Sequence, residues 1–265
     1  MGNLREMLLK EQYRLENILQ KVVKELKNAP PGTLRLSSSK KEVQYYHCVP
    51  EGKKNGKYIS KTEKEFIRSL AQKDYNEKIL KLTKKRLSQI IRLTKDYDDE
   101  EIEQVYWNEH IERRKLIRPV EATWEEQLSQ WMSKKYNKKE FRDEAPMIIT
   151  NRGERVRSKS EKILADYFDQ NGIAYKYECP LYIKGVGIIY PDFTFLSKKI
   201  KQEIYWEHDG RMDDPVYAQN AIRKIQTYEE NGIYPGERLI LTFETTKSVL
   251  NMRLVDNLVS KYLAI

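Results

Sequence analysis

The stretch KIKQEIYWEHDG, residues 199–210, constrains the fold more than any other part of the chain. Its centre, Ile204, Tyr205 and Trp206, is an aromatic, β-branched run suited to a buried strand. The run then ends in three consecutive ionisable residues, Glu207, His208 and Asp209, before Gly210. Strand side chains alternate in direction. Glu203, Tyr205, Glu207 and Asp209 therefore share one face, and Ile204, Trp206 and His208 share the other.

The flanking sequence supplies the rest of a layered core. Residues 158–171 read as a helix, with Ser158 and Glu161 fitting a capping box and Gly172 a C-terminal stop. YKYECPLYI (175–183) reads as a strand, and GVGIIYPDFTFL (185–196) as a turn into a second strand. Residues 214–231 read as a helix that ends at Asn231-Gly232, with Asp213 and Asp214 at its N-terminus. ERLILTFE (237–244) is a strand with an apolar centre, and 248–263 a closing helix. The order α-β-β-β-α-β-α predicts an α/β domain over 150–265, a mixed sheet with flanking helices.

The front of the chain has a different texture. Residues 4–27 carry Leu4, Leu8, Leu15, Leu19, Val22 and Leu26 at helical spacing, and Asn28-Ala29-Pro30-Pro31-Gly32 ends that helix. Three short β-prone runs follow: TLRLS (33–37), VQYYHCV (43–49) and GKYIS (56–60). Turn-forming residues separate them, which predicts an antiparallel meander. A long helix over about 62–97 comes next. Residues 1–100 are thus expected to be a mainly helical hairpin carrying a small three-stranded sheet. Residues 101–149 are expected to be a helical connector: helix over 100–118, Pro119, then a capping box at Thr123-Trp124-Glu125-Glu126 that opens a helix to about Tyr136. His110 reads as a surface residue. Intramolecular packing accounts for both long apolar stripes; a homodimeric coiled coil is the alternative, although the heptads are irregular.

Charge and composition bound the function. Charged residues are 34% of the chain and the formal net charge is +9. Residues 151–265 hold 17 Lys and Arg against 16 Asp and Glu, so the excess lies in 1–150, with 32 against 24. A basic excess suggests an anionic partner or a solvated lysine-rich surface. No apolar run reaches the roughly 20 residues of a membrane span. The opening MGNLREMLLKEQ is unlike a secretory signal, and Glu6 breaks the myristoylation pattern. Cys48 and Cys179 match no metal spacing, so a reduced, cytoplasmic setting is expected. No small-molecule cofactor is expected.

The acids near the sheet carry the sharpest chemical signal. If 190–196 pairs antiparallel with 201–207, Asp192 falls close to Glu207. Glu161 is a further acidic candidate. Like charges at close range raise each other's pKa and destabilise a fold. A hard divalent cation such as Mg2+ or Mn2+ offsets that cost, and Asp192, Glu207 and Asp209 are the acids whose crowding would call for one. Such a cation polarises a phosphate and lowers the pKa of an attacking water. Taken singly, each acid has a plainer reading: Asp192 caps a turn after Pro191, Glu207 to Asp209 form a polar strand exit, and Glu161 caps a helix.

Taken in order, SKSE (158–161) on a helix, PDF (191–193) and WEHDG (206–210) resemble the PD-(D/E)XK nuclease superfamily. The layout is similar to very-short-patch-repair-type endonucleases: Asp-Phe, a hairpin, a strand ending Glu-x-Asp-Gly, a helix into an Asn/Gly-Ile turn, and another strand. Here the last parts are NGI (231–233) and ERLILTF. The resemblance covers about 152–265. It also extends to uncharacterised bacterial and phage proteins of similar layout. It implies a restriction-endonuclease-like sheet, phosphodiester hydrolysis, Asp192 and Glu207 as metal ligands and Glu161 as a supporting acid, in a defence or mobile-element setting. The family places a lysine two residues after the acid, where this chain has Asp209. Lys224, on the following helix, is the candidate replacement, with Lys159 in reserve. Tyr228 and Gln226 lie further along that helix, where packing is the simpler role.

The meander followed by a helix resembles the arm-type DNA-binding domains of tyrosine recombinases. Residues 33–61 carry Arg35, Lys40, Lys41, Lys53, Lys54, Lys57 and Lys61 against Glu42 and Glu51. Tyr45, Tyr46, His47 and Tyr58 interleave with them. Arg35, Lys40, Lys41, Tyr45, Lys53, Lys54 and Lys57 are the expected nucleic-acid contacts, with DNA the expected partner. Three function classes follow: a metal-dependent endonuclease, a catalytically inactive nucleic-acid-binding protein, and a helical protein-interaction module. Steep salt dependence of nucleic-acid binding separates the first two from the third, and metal-dependent cleavage separates the first from the second.

Overall fold

A computed structural model describes residues 4–39, 42–51, 55–141 and 146–263. The chain divides into two compact units, residues 2–102 and 103–265.

The first unit is a helical hairpin with a sheet between its helices in sequence. Helix α1 spans Leu4–Lys27 and α2 spans Lys64–Asp96. Strands β1 (Thr33–Ser39), β2 (Glu42–Cys48) and β3 (Lys57–Ile59) form an antiparallel sheet in the order β1-β2-β3. Leu15 and Val22 of α1 and Leu70 and Leu87 of α2 are buried, as the apolar spacing requires. Polar Asn76, Thr83 and Thr94 are buried with them. Asn76 donates to Glu25 at 2.7 Å and accepts from Gln72 at 2.9 Å, so its amide is not orphaned.

The boundary between the units falls inside α3 (Glu101–Trp107), and α4 (Ile111–Arg114) follows in the second. A single helix over 100–118 was expected; the chain breaks at His110, which leaves the helical region of backbone space and accepts from Glu112 N through Nδ1. The Thr123 capping box forms in full, and α5 covers Trp124–Ser133, three residues shorter than expected. The segment around α5 packs on the sheet of the second unit. Trp131 is buried and donates to Glu203 at 2.8 Å, and Tyr136 donates to Tyr177 O at 3.0 Å. Buried Lys176 sits 4.7 Å over the Trp131 ring and donates to Lys134 O.

A short hairpin, β4 (Ile148–Ile149) and β5 (Arg155–Val156), leads into α6 (Lys159–Gln170). The 175–183 run is two strands rather than one, β6 (Lys176–Tyr177) and β7 (Leu181–Ile183). Glu178 stands between them at φ +48°, and Pro180 removes a donor, so the ladder cannot continue. The next run also divides, into β8 (Gly187–Ile189), paired with β7, and β9 (Phe193–Ser197), with Tyr190-Pro191-Asp192 between. Strand β10 (Gln202–Asp209), helix α7 (Pro215–Glu230), strand β11 (Leu239–Phe243) and helix α8 (Met252–Tyr262) complete the unit.

The main sheet runs β11-β10-β9-β6, with β10 parallel to β11 and the other pairs antiparallel. Strand β10 is buried on both faces, in keeping with its central place. Ile204 and Trp206 join Phe168, Phe193, Phe195, Leu164 and Val255 in one cluster. Tyr205 faces the other way and joins Ile183, Tyr228, Ile233 and Leu239. The helices that cap the two faces end alike. Both α6 and α7 stop at Asn-Gly-Ile, with Gly172 at φ +67° and Gly232 at φ +75°. In each, the isoleucine N–H bonds back five residues, to Phe168 O at 2.8 Å and Tyr228 O at 3.0 Å. Ile173 and Ile233 then enter opposite cores.

Phe168 is the hub of the larger cluster, with ring centroids 4.9 Å from Phe195, 5.2 Å from Phe193 and 5.3 Å from Trp206. We expect Phe168→Ala to lower stability by about 3–5 kcal/mol in equilibrium denaturation, because the surrounding rings cannot collapse into the space left.

Candidate active site

The acidic end of β10 faces α7. Glu207 lies on the Tyr205 face and is 3% exposed. Helix α7 presents two donors to it, four residues apart and so on one face. Lys224 Nζ donates to Glu207 Oε2 at 2.7 Å, and the Tyr228 hydroxyl donates to Oε1 at 2.5 Å. Both Glu207 oxygens are thereby satisfied, as burial demands. Lys224 also donates to Tyr190 O at 3.1 Å. It thus holds the Tyr190-Pro191-Asp192 crossing beside the acid of β10.

Asp192 arrives through strand register. Phe193 pairs with Trp206, which brings the preceding residue of the β9 segment beside Glu207. Asp192 Oδ2 accepts from the His208 backbone N–H at 2.7 Å. Burial and the Glu207 charge push the Asp192 carboxyl well above the usual range, and Glu161 adds to this, while Lys224 opposes it. Asp209, 8% exposed, is pushed up to about 6 by burial and by Glu207. Burial disfavours the Lys224 ammonium, but the charges of Glu207, Asp192 and Asp209 outweigh it and hold its pKa above the ordinary lysine value. Burial, then Glu207, keeps the Tyr228 phenol protonated far beyond neutral pH.

Glu161 occupies the first turn of α6, on a helix capped by Ser158, whose hydroxyl accepts from Glu161 N at 3.1 Å. The reciprocal half of the expected capping box does not form. The Glu161 carboxylate instead accepts from the Arg157 backbone N–H at 2.9 Å and the Tyr177 hydroxyl at 2.6 Å. Arg157 in turn grips Glu178, the residue with the left-handed backbone, through two contacts of 2.6 and 3.0 Å. Glu178 N donates to Asp192 O at 3.1 Å. A chain of polar contacts therefore links α6, the end of β6 and Asp192.

His208 points to the opposite face. Its ring lies 3.0 Å from Thr242 Oγ1 and 2.9 Å from Glu244 Oε2, and Glu244 also accepts from Ser160. The side chain thus ties β10 to β11 and α6, while the backbone N–H serves Asp192. Lys159 and Gln226 are exposed. Asp214 caps α7, accepting from Val216 N and Tyr217 N, whereas Asp213 accepts from Thr246 beyond β11. Tyr228 is the contact that sequence patterning read as simple packing. Its spacing of four from Lys224 was the available signal.

The donor set is all carboxylate oxygen, the chemistry that suits Mg2+ or Mn2+. Among the described residues, no group of three or more His, Cys, Asp and Glu side chains is arranged to hold a metal ion. Mg2+ needs only one or two protein carboxylates beside water and phosphate oxygens. Burial first, and then the Glu207 charge, raise the Asp192 and Asp209 carboxyls, and a bound cation would oppose both effects.

In the first unit, Arg35 donates to Asn55 O at 2.7 Å and its guanidinium lies 4.5 Å over the Tyr46 ring. Lys61 pairs with Glu42 at 2.8 Å, and Lys57 is exposed. Tyr45 lines an open depression of about 440 Å3 with Val43, Lys61, Lys64, Ile67 and Arg68. His47 donates to Pro31 O at 2.8 Å and packs edge-on against Phe66. Lys40, Lys41, Lys53 and Lys54 lie outside the described residues.

No protein-family model matches the chain, and no solved structure matches it. An uncharacterised protein of Methanocaldococcus jannaschii is 38% identical over 116 residues, which covers 39% of this chain and 10% of that protein. The chain therefore spans about a tenth of the length of the curated relative it matches. Among the described residues, no helix is long and apolar enough to cross a membrane.

Asp209 gives a signed test of the charge crowding. Its folded pKa, about 6, lies above the ordinary value of 3.8. Its ionisation therefore destabilises the fold, and stability is lost as pH rises through about 6. In EDTA, Asp209→Asn should be more stable than the parent at pH 7.5, by up to about 3 kcal/mol. The gain should vanish below about pH 4. Urea unfolding at both pH values checks it.

Proposed function

We propose that the second unit is a PD-(D/E)XK-like nuclease domain and that the protein is a metal-dependent endonuclease acting on nucleic acid, DNA foremost. The observation that carries this reading is the 2.7 Å contact between Lys224 and Glu207. The position two residues after Glu207 is an aspartate, so the strand itself lacks the family's lysine. The following helix supplies an ammonium to the same carboxylate. The order of acid-bearing helix, Asp-Phe strand, acid-ended strand and helix is the second support.

Asp192 and Glu207, with Asp209 beside them, would hold the cation. The chemistry supplied by a cation held there would be polarisation of a phosphate oxygen and a lower pKa for an attacking water. The chain's own residues set the rest. Tyr228 aims one oxygen of Glu207 from a buried position. The His208 N–H fixes one oxygen of Asp192. Lys224, kept charged by three neighbouring carboxylates, stabilises negative charge that develops on phosphate. Glu161, anchored by Tyr177 and the Arg157 N–H, adds negative potential at Asp192 and favours cation uptake there.

A second reading, a non-catalytic nucleic-acid-binding domain, is favoured by Asp209 standing where the family has lysine. Cleavage of plasmid, linear duplex, single-stranded DNA and RNA with Mg2+ or Mn2+ decides between them. The expected outcome is metal-dependent cutting that Asp192→Ala and Glu207→Gln abolish. Glu207→Gln retains an acceptor for Tyr228 and so tests charge more cleanly than truncation. Lys224→Met should slow cutting by about 100- to 1000-fold while Mn2+ binding by calorimetry persists. Wild-type protein that neither cuts nor takes up Mn2+ would overturn catalysis and leave the binding reading.

A further inference from the structure

The two long helices of the first unit handle charge differently. In α1, acids interleave with bases at helical spacing: Lys10 pairs with Glu6 and Arg14 with Glu11. That is how a solvated helix face is ordinarily built. In α2, the 18 residues from Lys78 to Lys95 contain seven Lys and Arg and no Asp or Glu. Lys78 reaches back to Asp74, and Arg86 donates to Gln89. Lys81, Lys84, Lys85, Arg92 and Lys95 are exposed, and none forms an ion pair with another described residue.

These charges are aligned. At 3.6 residues per turn, Lys81, Lys85, Ser88, Arg92 and Lys95 fall within an arc of about 80° and span about 21 Å of helix axis. Like charges one helical turn apart, as Lys81 and Lys85 are, weaken a helix, so the stripe is unfavourable for the helix alone. The opposite side of α2 is already used: Thr83, Leu87 and Thr94 are buried.

We propose that this stripe is a binding surface for the phosphate backbone of duplex nucleic acid. DNA carries one phosphate per about 3.4 Å along each strand, so about 21 Å of cationic helix faces roughly six phosphates of one strand. An anionic membrane is the other partner with this charge. A membrane-surface helix offers an apolar face to the acyl region beside its basic one. Here that face is buried within the unit, and the exposed Ile91 and Leu93 lie on opposite flanks of the stripe. The partner class agrees with the proposed nuclease substrate, but binding here does not require cleavage.

The test uses the full chain carrying Asp192→Ala throughout, so that no cutting complicates binding. Affinity for a 30-base-pair duplex is measured by fluorescence anisotropy over a range of NaCl concentrations. The stripe variant combines Lys81→Gln, Lys85→Gln, Arg92→Gln and Lys95→Gln. A charge-matched control combines Arg5→Gln, Lys21→Gln, Lys24→Gln and Lys27→Gln on exposed positions of α1. Glutamine is close to lysine and arginine in helix propensity, and circular dichroism checks that both variants stay folded. The stripe variant should lose about 100-fold or more in affinity at low salt. Its slope of log K against log salt should shrink by about three to four, at about 0.9 per phosphate contact. The control should change the slope by about one or less. Equal effects of the two variants would overturn the proposal. So would binding to phosphatidylserine vesicles, but not to duplex, that the stripe variant loses. Wild type that neither cleaves nor takes up Mn2+, with the stripe effect intact, would remove the nuclease reading and leave this surface standing.

Discussion

The contact between Lys224 and Glu207 organises the second unit around its acids. A carboxylate 3% exposed on a central strand is costly unless charge and hydrogen bonds meet it. Helix α7 meets it twice, through Lys224 and Tyr228, one helical turn apart. Lys224 then extends to Tyr190 O, which fixes the crossing that delivers Asp192. Removing the ammonium would leave three acids crowded without a counter-charge. The same contact therefore serves packing and electrostatics where α7 lies on the sheet.

Strand β10 explains why the acids sit where they do. Its centre is covered on both faces, by the Phe168–Trp206 cluster on one side and the Tyr205–Tyr228 cluster on the other. Polar groups can enter such a strand only where partners reach them. On one face α7 supplies those partners to Glu207. On the other, Thr242 accepts from Trp206 Nε1 and lies beside the His208 ring, whose far nitrogen meets Glu244. The strand's acidic end is thus a junction of two satisfied networks. Asp209 ends the strand, where burial and the Glu207 charge raise its carboxyl to about 6.

The first unit follows a different logic. Its helices bury a narrow apolar seam with Asn76, Thr83 and Thr94 among the leucines, and Asn76 meets Glu25. A buried amide that meets a specific partner on the other helix favours one register of the helices over others. Outside the seam, α1 and the first half of α2 pair charges locally, as Lys10–Glu6 and Arg68–Glu65 do, and the second half of α2 does not. That asymmetry is a property of the surface rather than of the fold, since exposed lysines add little to packing.

Much of this was legible in the sequence because it is written in local chemistry. Apolar spacing marked α1 and α2 to within a few residues, caps and Asn-Gly stops marked α6 and α7, and the Thr123 capping box marked the start of α5. The alternation in 199–210 assigned Glu207 and His208 to opposite faces, because strand geometry has a period of two. Backbone breaks without a strong local signal were not legible. Glu178 adopts φ +48° with an Arg157 ion pair that no spacing announces, so one expected strand became two. His110 split another helix for a similar reason. Glu161 resembled half of a capping box, yet its carboxylate turned to Arg157 N and Tyr177, partners distant or outside that motif. The sequence by itself determined most of the longer elements and which residues are acidic, basic or apolar along them. Only the tertiary structure decided which of them meet. A hydrogen bond between Lys224 and Glu207 depends on how a helix packs on a strand, and packing is settled by the whole core at once rather than by any window of residues.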